Sequence, residues 1–549
     1  MKTFFITAYL TAFLTSSVFG QTQPSDSLII DVSNAPLNQD NPSVSINRKN
    51  KGMIVIGAAS DIVDMDNNGV PAYTSTDTGR SWVLSRLPLP LNHQDVYIYG
   101  EASLACDDAG NFYYSYITDD GADSAGTIAF ATSTDGKIWK NATPIDNNPA
   151  PNYYGNPDGV FITVDNSLVS SHHGRVYAIW NQYYSADSLF EQEGAYISWS
   201  DNKCVTWSTP KLLGPSDDYQ IVRTGKNGEI FVAFSDSSGL GHQFFVSTDG
   251  GSTFTLQITR IFNSYPFFTS GLNSGFTGLK GNQGFEAFPY PSFDVDINTN
   301  RIYALGGDYQ GGIATESFSF SDDDGLNWTT PQIIGINSLD SADRFDPCVS
   351  VDQATGDAYA LYYSSESDLN NILIAPYRIR LGDVLPDKSQ MLAPSFNPLF
   401  VEKTDSTAAY IGDHTSGDAF GGVYVGSWTQ NRTGFIDADI FAFVSINTVK
   451  SSVEMPILVH SPSLWLSGSY PNPSDGKSIT LSYYIPHATY LTLSLYDDTG
   501  KEIRRLTERS VQEGSFTEKF AIGNVANGTY FIRMIIDNEQ LGQKFVVHK

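Results

Sequence analysis

Short runs of alternating apolar and polar residues recur along the chain, each followed by a turn and an aromatic-rich run. The first pair spans residues 42–46 and 53–57, and the second spans residues 102–106 and 111–115. Later copies begin at Asp158, Asp218, Pro291, Asp346 and Tyr410. Alternation with a period of two is typical of half-buried strands. The pattern predicts an all-β protein with seven similar sheets of three or four strands, as in β-propellers.

A second repeated element is a turn in which serine stands two residues before aspartate, followed by glycine and an aromatic residue. Its copies span residues 75–82, 133–139, 200–207, 247–254 and 321–328. In the third copy Asn202 replaces the aspartate and Cys204 replaces the glycine. Serine and aspartate can hydrogen-bond the amides of a turn, glycine adopts a positive φ, and the aromatic ring packs inward. The element therefore predicts a strand–turn–strand unit.

These turns resemble the Asp-boxes of sialidase-like (BNR-repeat) propellers, and the flanking strands match that superfamily over about residues 40–450. The resemblance implies a β-propeller over residues 21–450. Seven blades are favoured, with a strand near residues 27–32 completing the last one, and six blades, the number in true sialidases, is the alternative. In such propellers the turns lie away from the ligand-binding face, so the resemblance gives a structural role to Asp77, Asp135, Asp249 and Asp323.

The composition and strand pattern of the chain change after residue 450. Residues 451–465 have the composition of a linker, and the short strands of residues 466–549 predict a small antiparallel β-sandwich. Tyr-Pro-Asn-Pro at 470–473, the turn at Gly500 and the strand starting at Gly528 resemble the type A C-terminal sorting domain of the type IX secretion system of Bacteroidetes. The resemblance implies export across the outer membrane, with cleavage of the domain and release or lipopolysaccharide anchoring. An ordinary accessory sandwich is the alternative.

The first twenty residues have the order of a secretory signal peptide. Lys2 is positive, residues 4–19 are uncharged and largely apolar, and small residues precede Gln21. A buried first helix is the alternative. No later stretch approaches the roughly 18 apolar residues that a membrane-spanning helix needs. We therefore expect residues 1–20 to be a signal peptide and the protein to be secreted or held on the outer cell surface after passing the periplasm, without a transmembrane segment.

The formal net charge is −28, but residues 461–549 contain nine Lys and Arg against nine Asp and Glu. The negative excess therefore belongs to the part of the chain before them. Such a surface repels nucleic acid and anionic membranes and suits neutral ligands or divalent cations. The expected partners are an extracellular glycan or glycoprotein and, through the C-terminal domain, the secretion machinery, with no role for nucleic acid.

One segment has the alternating oxygen ligands of a calcium loop. Asp64, Asp66 and Asn68 alternate before Gly69, which suits the sharp turn of such a loop. The twelfth position is Ser75 and not glutamate, so the segment is not an EF-hand. The sequence leaves two interpretations open, a bound calcium ion and a plain turn rich in Asp and Asn.

Carboxylates stand where the first strand of each predicted blade begins, which would place them near the propeller axis. Two carboxylates on one face could act as acid and base on a neutral glycosidic bond. The candidate catalytic residues are Glu101, Asp158, Asp346 and Asp413. The alternative is that they hydrogen-bond the backbones of neighbouring blades. The candidate ligand-binding residues are Arg344 and Arg432, which could face the mouth, and the aromatic residues Tyr153, Tyr154, Phe267 and Phe268.

A sialidase like the known members of the superfamily needs three arginines for the sugar carboxylate, a Tyr–Glu nucleophile pair and an acid/base aspartate. The family's early Arg-Ile-Pro motif is absent, because the first strand reads Asn-Pro-Ser-Val-Ser-Ile at 41–46 and Arg48 follows it. No arginine triad can be assembled from the sequence. The leading hypothesis is glycan recognition, the second is a glycoside hydrolase using carboxylates of this face, and the third is a scaffold or adhesion propeller.

Overall fold

The computed structural model divides into two compact units, Met1–Lys450 and Ser451–Lys549. The structure describes the following segments of the chain: residues 27–34, 38–60, 69–88, 97–98, 101–119, 126–145, 155–184, 194–216, 220–235, 242–258, 291–310, 313–335, 342–367, 373–382, 389–398, 411–431, 438–446, 465–466, 474, 476–485, 487–497, 500–512, 514–537 and 539–549.

The secondary structure of the N-terminal unit consists of short strands, and no helix occurs in the segments just given, which confirms the all-β prediction. In chain order the strands are β1 (Ser27–Asp31), β2 (Gln39–Ile46), β3 (Ile54–Ser60), β4 (Pro71–Ser75), β5 (Val83–Arg86), β6 (Tyr97–Ile98), β7 (Ser103–Cys106), β8 (Phe112–Asp119), β9 (Thr127–Ser133), β10 (Lys140–Asn141), β11 (Gly155–Val164), β12 (Val176–Tyr184), β13 (Gly194–Ser200), β14 (Lys211–Gly214), β15 (Ile221–Thr224), β16 (Ile230–Ser235), β17 (His242–Ser247), β18 (Thr255–Ile258), β19 (Ser292–Asp296), β20 (Arg301–Gln310), β21 (Ile313–Ser321), β22 (Gln332–Ile333), β23 (Arg344–Val351), β24 (Ala358–Ser364), β25 (Ala375–Leu381), β26 (Gln390–Met391), β27 (Ser416–Phe420), β28 (Val423–Asn431) and β29 (Ala438–Ile446).

These strands pair into seven antiparallel sheets in the described part of the unit. Sheets one to six contain, in order, β2–β5, β6–β10, β11–β14, β15–β18, β19–β22 and β23–β26. The seventh sheet contains β27–β29 and also β1, which pairs with β29 so that Ser27 faces Ser445 and Asp31 faces Phe441. The first and last strands of the unit therefore lie in one sheet, and their pairing ties its two ends together.

One strand of each sheet contacts its counterparts in the two neighbouring sheets, in a closed cycle of β2, β7, β11, β15, β19, β23 and β27, with β27 returning to β2. These seven are called the first strands below. Serine side chains link these strands. Ser43 Oγ accepts the N–H of Leu104 at 2.9 Å, and Ser416 Oγ accepts the N–H of Val44 at 3.0 Å. The latter bond joins the seventh sheet to the first. A first strand has a ladder partner on one side only, so these hydroxyls satisfy amides on its open side.

The apolar core of the unit lies between neighbouring sheets. Tyr114 and Trp139 of the second sheet pack with Val55 of the first, and Trp180 of the third sheet packs with Phe130 of the second. Five further clusters join the remaining neighbours, including the seventh sheet with the first. Both faces of each sheet are therefore buried, which explains why its strands are rich in aromatic and β-branched residues.

The serine–aspartate turns share one set of hydrogen bonds. Ser75 Oγ donates to Asp77 Oδ1 and accepts the N–H of Gly79, both at 2.8 Å, and Asp77 Oδ1 accepts the N–H of Ser81 at 2.9 Å. The turns that begin at Ser133, Ser200, Ser247 and Ser321 repeat this arrangement. The turn glycines have φ between 69° and 96°, and Cys204 takes the same conformation at 62°.

The C-terminal unit has two antiparallel sheets around one core. Its strands are β30 (Trp465–Leu466), β31 (Ser478–Ile485), β32 (Thr489–Asp497), β33 (Glu502–Val511), β34 (Gly514–Ala521), β35 (Gly528–Ile536) and β36 (Glu539–Val547). The sheet orders are β30-β31-β34 and β33-β32-β35-β36. Leu481 and Tyr483 of the first sheet pack with Leu493, Ile532 and Phe545 of the second. Alternate residues of both sheets therefore face a shared apolar layer.

Candidate functional site

The predicted catalytic carboxylates lie where the first strands of the sheets begin. At three of these places the strand has an extra residue, between Asp40 and Ser43, between Asp158 and Phe161, and between Phe345 and Cys348. The bulged residues have positive φ, and Glu101 takes the same conformation before β7: Asn41 (47°), Gly159 (57°), Asp346 (50°) and Glu101 (35°). Asn, Asp and Gly tolerate this region well, whereas glutamate does not.

Glu101 and Asp158 are brought together across neighbouring sheets. Glu101 Oε2 accepts the N–H of Gly159 at 2.5 Å, and Asp158 Oδ1 accepts the same N–H at 3.0 Å. Both residues are half-buried. Two carboxylates therefore converge on one backbone donor, in part because the bulge in β11 turns that donor toward the second sheet.

Gln220, at the start of the fourth sheet, supports this pair and was not among the residues singled out from the sequence. Its side chain is 1% exposed, and Nε2 donates to the carbonyl oxygen of Asp158 at 3.0 Å and also to that of Gly159. These bonds hold the bulge in place. The sequence signal that could have identified Gln220 is its position directly before an apolar strand, which is equivalent to the position of Glu101.

Asp413 bonds Asn41 across the closure between the seventh and first sheets. Its N–H donates to Asn41 Oδ1 at 2.6 Å, and Asn41 Nδ2 lies 3.5 Å from Asp413 Oδ2. The two residues are 372 positions apart in the chain. Asp413 thus belongs to the same ring of strand starts as Glu101 and Asp158, and Asn41 holds its position.

Asp346 and Arg344 lie at the start of the sixth sheet and are both buried. Asp346 is 1% exposed, and its carbonyl oxygen accepts the hydroxyl of Thr415 at 2.9 Å. Arg344 is 2% exposed and forms an ion pair with Glu366, with Nη2 and Oε1 3.0 Å apart. Glu366 neutralises the guanidinium that the sequence offered as a ligand for an anion. The ligand-binding role of Arg344 stays a prediction.

Several residues named from the sequence lie outside the described residues. They are Arg432, Tyr153, Tyr154, Phe267, Phe268, Asp64, Asp66 and Asn68, together with the segment 1–20. Within the described ranges, no group of three or more His, Cys, Asp or Glu side chains is placed to hold a metal ion. The calcium site and the aromatic platform stay predictions.

A central channel runs between the first strands, and its upper part is a small cavity of about 70 Å³ lined by all seven sheets. The imidazole of His414 lies there, 5.4 Å from the ring of Phe161 across the channel. Burial lowers the pKa of His414 to about 4, against the opposing effect of a hydrogen bond with the backbone of Pro42. His414 is therefore neutral at physiological pH, and it adds no positive charge to the mouth.

The lower part of the channel is a polar cavity of about 120 Å³ that contains two ion pairs. Arg48 Nη2 lies 2.9 Å from Asp418 Oδ1, and Arg223 Nε lies 3.3 Å from Asp294 Oδ1. Burial raises the pKa of Asp294, and the charge of Arg223 opposes this rise. The two positive and two negative charges balance, so the channel itself does not attract an ion of either sign.

Comparison with known families identifies the end of the chain. Residues 469–548 match the family described as the secretion system C-terminal sorting domain. The C-terminal unit is a type IX sorting domain. The protein is therefore exported to the outer cell surface or the extracellular space. No helix in the described part of the chain is both long and apolar enough to cross a membrane.

No curated protein matches the sequence, and three similar solved structures have low sequence identity to this chain. The Hadza microbial sialidase Hz136 is 13% identical with a TM-score of 0.38, and the match covers 65% of this chain and 66% of the sialidase. An α-L-arabinofuranosidase, Arb93A of Fusarium graminearum, is 14% identical with a TM-score of 0.40, covering 65% and 95%. A protein of unknown function from Dyadobacter fermentans is 13% identical with a TM-score of 0.38, covering 65% and 96%. Because these three TM-scores are below 0.5, the function must be argued from this chain's own residues.

Proposed function

We propose that the exported chain binds an extracellular glycan at the channel mouth, the surface formed by Asn41, Glu101, Asp158, Gln220 and Asp413. In this proposal the seven sheets are the blades of a closed propeller, and the two sheets of the sorting domain are the layers of a sandwich. The observation that carries it is the convergence of Glu101 and Asp158 on the N–H of Gly159.

The backbone at Glu101 supports a role for its side chain beyond folding. Glutamate in a left-handed conformation costs about 1–2 kcal/mol relative to a residue that tolerates it, and the equivalent strand starts use Asn, Asp or Gly. Strain of this kind is concentrated at binding and active sites. A carboxylate retained at such a position, half-buried beside a channel, is suited to accept hydrogen bonds from hydroxyl groups of a ligand.

The charge of the protein favours a neutral sugar over an anionic one. All but one of the 28 net negative charges lie in the unit that carries the mouth. Around the mouth, Arg344 is neutralised by Glu366 and His414 is uncharged, so no described cation there is available to an anion. Binding an anionic ligand would therefore be opposed electrostatically, whereas a neutral glycan offers hydroxyl donors to the carboxylates.

A glycan array with the full mature chain tests this proposal. We expect retained neutral glycans for the native protein, at least tenfold weaker retention for Glu101→Gln, and an unchanged profile for Asp322→Asn, which alters an exposed carboxylate in a turn. Binding that is equal in the native protein and Glu101→Gln would refute a role for this carboxylate. No retained glycan with correctly folded protein would reject glycan binding.

A second candidate function, glycoside hydrolysis, is suggested by the close approach of two carboxylates, which is nearer to the arrangement of retaining than of inverting enzymes. Because Oε2 of Glu101 and Oδ1 of Asp158 accept the same N–H, at 2.5 Å and 3.0 Å from its nitrogen, the two oxygens lie on one side of that nitrogen and less than about 4 Å apart. Retaining glycosidases hold their carboxyl groups about 5–5.5 Å apart, and inverting enzymes hold them about 6.5–9.5 Å apart. In a retaining reaction one carboxylic acid protonates the leaving oxygen, the other carboxylate attacks the anomeric carbon, and water then hydrolyses the glycosyl ester.

Trapping with a 2-fluoro glycoside separates hydrolysis from binding. A retaining hydrolase should gain the mass of one sugar on Glu101 or Asp158, and both Glu101→Gln and Asp158→Asn should lose at least 1,000-fold in sugar release. Glycan binding without sugar release or labelling would leave recognition as the function and remove hydrolysis. Release of sialic acid would instead argue for the anionic substrate that the charge disfavours.

A calcium ion at Asp64, Asp66 and Asn68 is a separate part of the proposal. Its support is the alternation of oxygen ligands before Gly69. Calcium that binds only the folded protein should raise the melting temperature, and a chelator should lower it. Equal melting temperatures with calcium and with chelator, in both the native protein and Asp66→Asn, would rule the ion out.

A further inference from the structure

A cleft between the second and third sheets has the size of a ligand site. Its volume is about 520 Å³, and its walls are formed by β8, β9 and β10, the segment after β10 and the turn after β13. Ligand-binding clefts are of about 300–1,000 Å³. It shares no lining residue with the channel or its mouth. The cleft is therefore distinct from the proposed glycan site.

The walls are mainly apolar and the rim is positive. Ala142 and Val205 contribute accessible apolar surface, and Val205 is 60% exposed, whereas Ala129 and Phe130 form the buried layer beneath. Lys140 and Lys203 are both exposed on the rim, and none of the described residues that line the cleft is Asp or Glu. In a protein of net charge −28 such a patch is unusual. It is complementary to a molecule with an apolar body and a negative group.

The turn that forms one wall departs from the other four serine–aspartate turns. In those turns a glycine packs against the preceding sheet. A Cβ added to Gly325 would lie 2.4 Å from the Phe244 side chain, and one added to Gly79 would lie 2.5 Å from the Val444 side chain. The third turn holds Cys204 there, at φ 62°, after Lys203 at φ 58°.

The turn is also clamped to the segment after β10. The N–H of Thr143 donates to the carbonyl oxygen of Cys204 at 3.0 Å, and the hydroxyl of Thr143 donates to the carbonyl oxygen of Val205 at 2.7 Å. In return, Trp207 Nε1 donates to the carbonyl oxygen of Thr143 at 2.8 Å. These bonds hold Lys203 and Val205 in a defined position on the rim. The site is thus preformed, which lowers the entropic cost of binding.

We propose that this cleft binds a small molecule with an apolar body and one carboxylate, the body against Ala142 and Val205 and the carboxylate at Lys140 and Lys203. The two ammonium groups give this rim a positive charge within a unit that is negative overall. The aliphatic stems of the two lysines add apolar surface at the rim. The site is independent of the glycan site, so either can fail without the other.

Calorimetric titration of the full mature chain with 4-phenylbutyrate tests the proposal, with 4-phenylbutan-1-ol as the uncharged counterpart. We expect one saturable site for phenylbutyrate, at least fivefold weaker binding of the alcohol, and about tenfold weaker phenylbutyrate binding in Lys140→Glu and Lys203→Glu. Lys137→Glu, an exposed lysine outside the cleft, should bind as the native protein does. Glu101→Gln should also be unchanged.

Two results of these titrations would overturn the proposed binding site. No saturable binding to the native protein, or equal weakening by Lys137→Glu and Lys203→Glu, would overturn it. Ala142→Phe should fill the cleft and weaken the acid and the alcohol alike. If that variant does not fold, the exposed lysine variants still give the answer.

Discussion

The serine–aspartate turns and the channel mouth both repeat carboxylates around the N-terminal unit, but their partners differ. Asp77 bonds Ser75 and Ser81, at most four residues away. At the mouth, Glu101 bonds Gly159, 58 residues away, and Asp413 bonds Asn41, 372 residues away. The turn carboxylates are satisfied within one motif, whereas Glu101 and Asp413 at the mouth bond neighbouring sheets. The hydrogen bonds of the turns therefore form within a short segment of chain, and those of Glu101 and Asp413 form only when the sheets pack together.

The largest expected effect comes from breaking the contact of a turn with the preceding sheet. Gly325→Ala combines a φ of 83° with a Cβ 2.4 Å from Phe244, and we expect a loss of about 3–4 kcal/mol in the free energy of unfolding. Gly174→Ala has the same φ, 82°, with nothing within 4 Å, and should lose only about 1 kcal/mol. Urea unfolding measures both. Equal losses would show that turn packing contributes nothing.

The second-largest expected effect is a pH dependence of stability caused by His414 in the channel, in a pH range where the turn carboxylates do not titrate. His414 has a folded pKa of about 4, below its unfolded value near 6.5, so the unfolded state binds the proton more readily and stability falls as pH decreases from 6.5 to 4. The expected loss is on the order of 2–3 kcal/mol. His414→Gln should remove this slope in unfolding measurements across that range. An unchanged slope would contradict the prediction.

The turn carboxylates should act at lower pH. Hydrogen bonds from Ser81 lower the pKa of Asp77 to about 2, and those from Thr253 lower that of Asp249 to about 2, although burial opposes the latter. Their folded pKa values lie below the unfolded ones, so their contribution to the free energy of unfolding is complete above about pH 4 and is lost as pH falls through 2.

At neutral pH, Asp323→Ala should cost about 1–2 kcal/mol in the free energy of unfolding by removing the hydrogen bonds from Ser321 and Asn327. Asp158→Asn, measured in parallel, should change stability less.

The smallest expected effect is at Glu101. Glu101→Gly relieves the strain of φ 35° but loses the bond from Gly159, so the two changes should offset within about 1 kcal/mol. Ligand binding should nevertheless be lost. A stability loss above about 3 kcal/mol with binding retained would assign Glu101 to the fold, as for the turn aspartates.

Much of the fold could be predicted from the sequence, and less of the site. Each predicted strand pair, such as residues 42–46 with 53–57, lies in one sheet, because alternation and turn chemistry act over a few residues. The bond of Glu101 to the backbone of the next sheet agrees with the alternative given for these carboxylates, whereas its convergence with Asp158, the support by Gln220 and the ion pair of Arg344 with Glu366 were not predicted. These contacts follow from how whole sheets meet, which a local pattern does not encode.

The sequence by itself determined the all-β class, the repeated turns and the C-terminal sorting domain, since each rests on residues close together in the chain. Only the tertiary structure decided which carboxylates share a donor and where an apolar cleft opens. Glu101 and Asp158 are neighbours because β7 contacts β11, and Lys140 and Lys203 share a rim because the turn after β13 packs on the second sheet. The physical reason is that the cyclic closure of the sheets brings distant residues together through the packing of many strands.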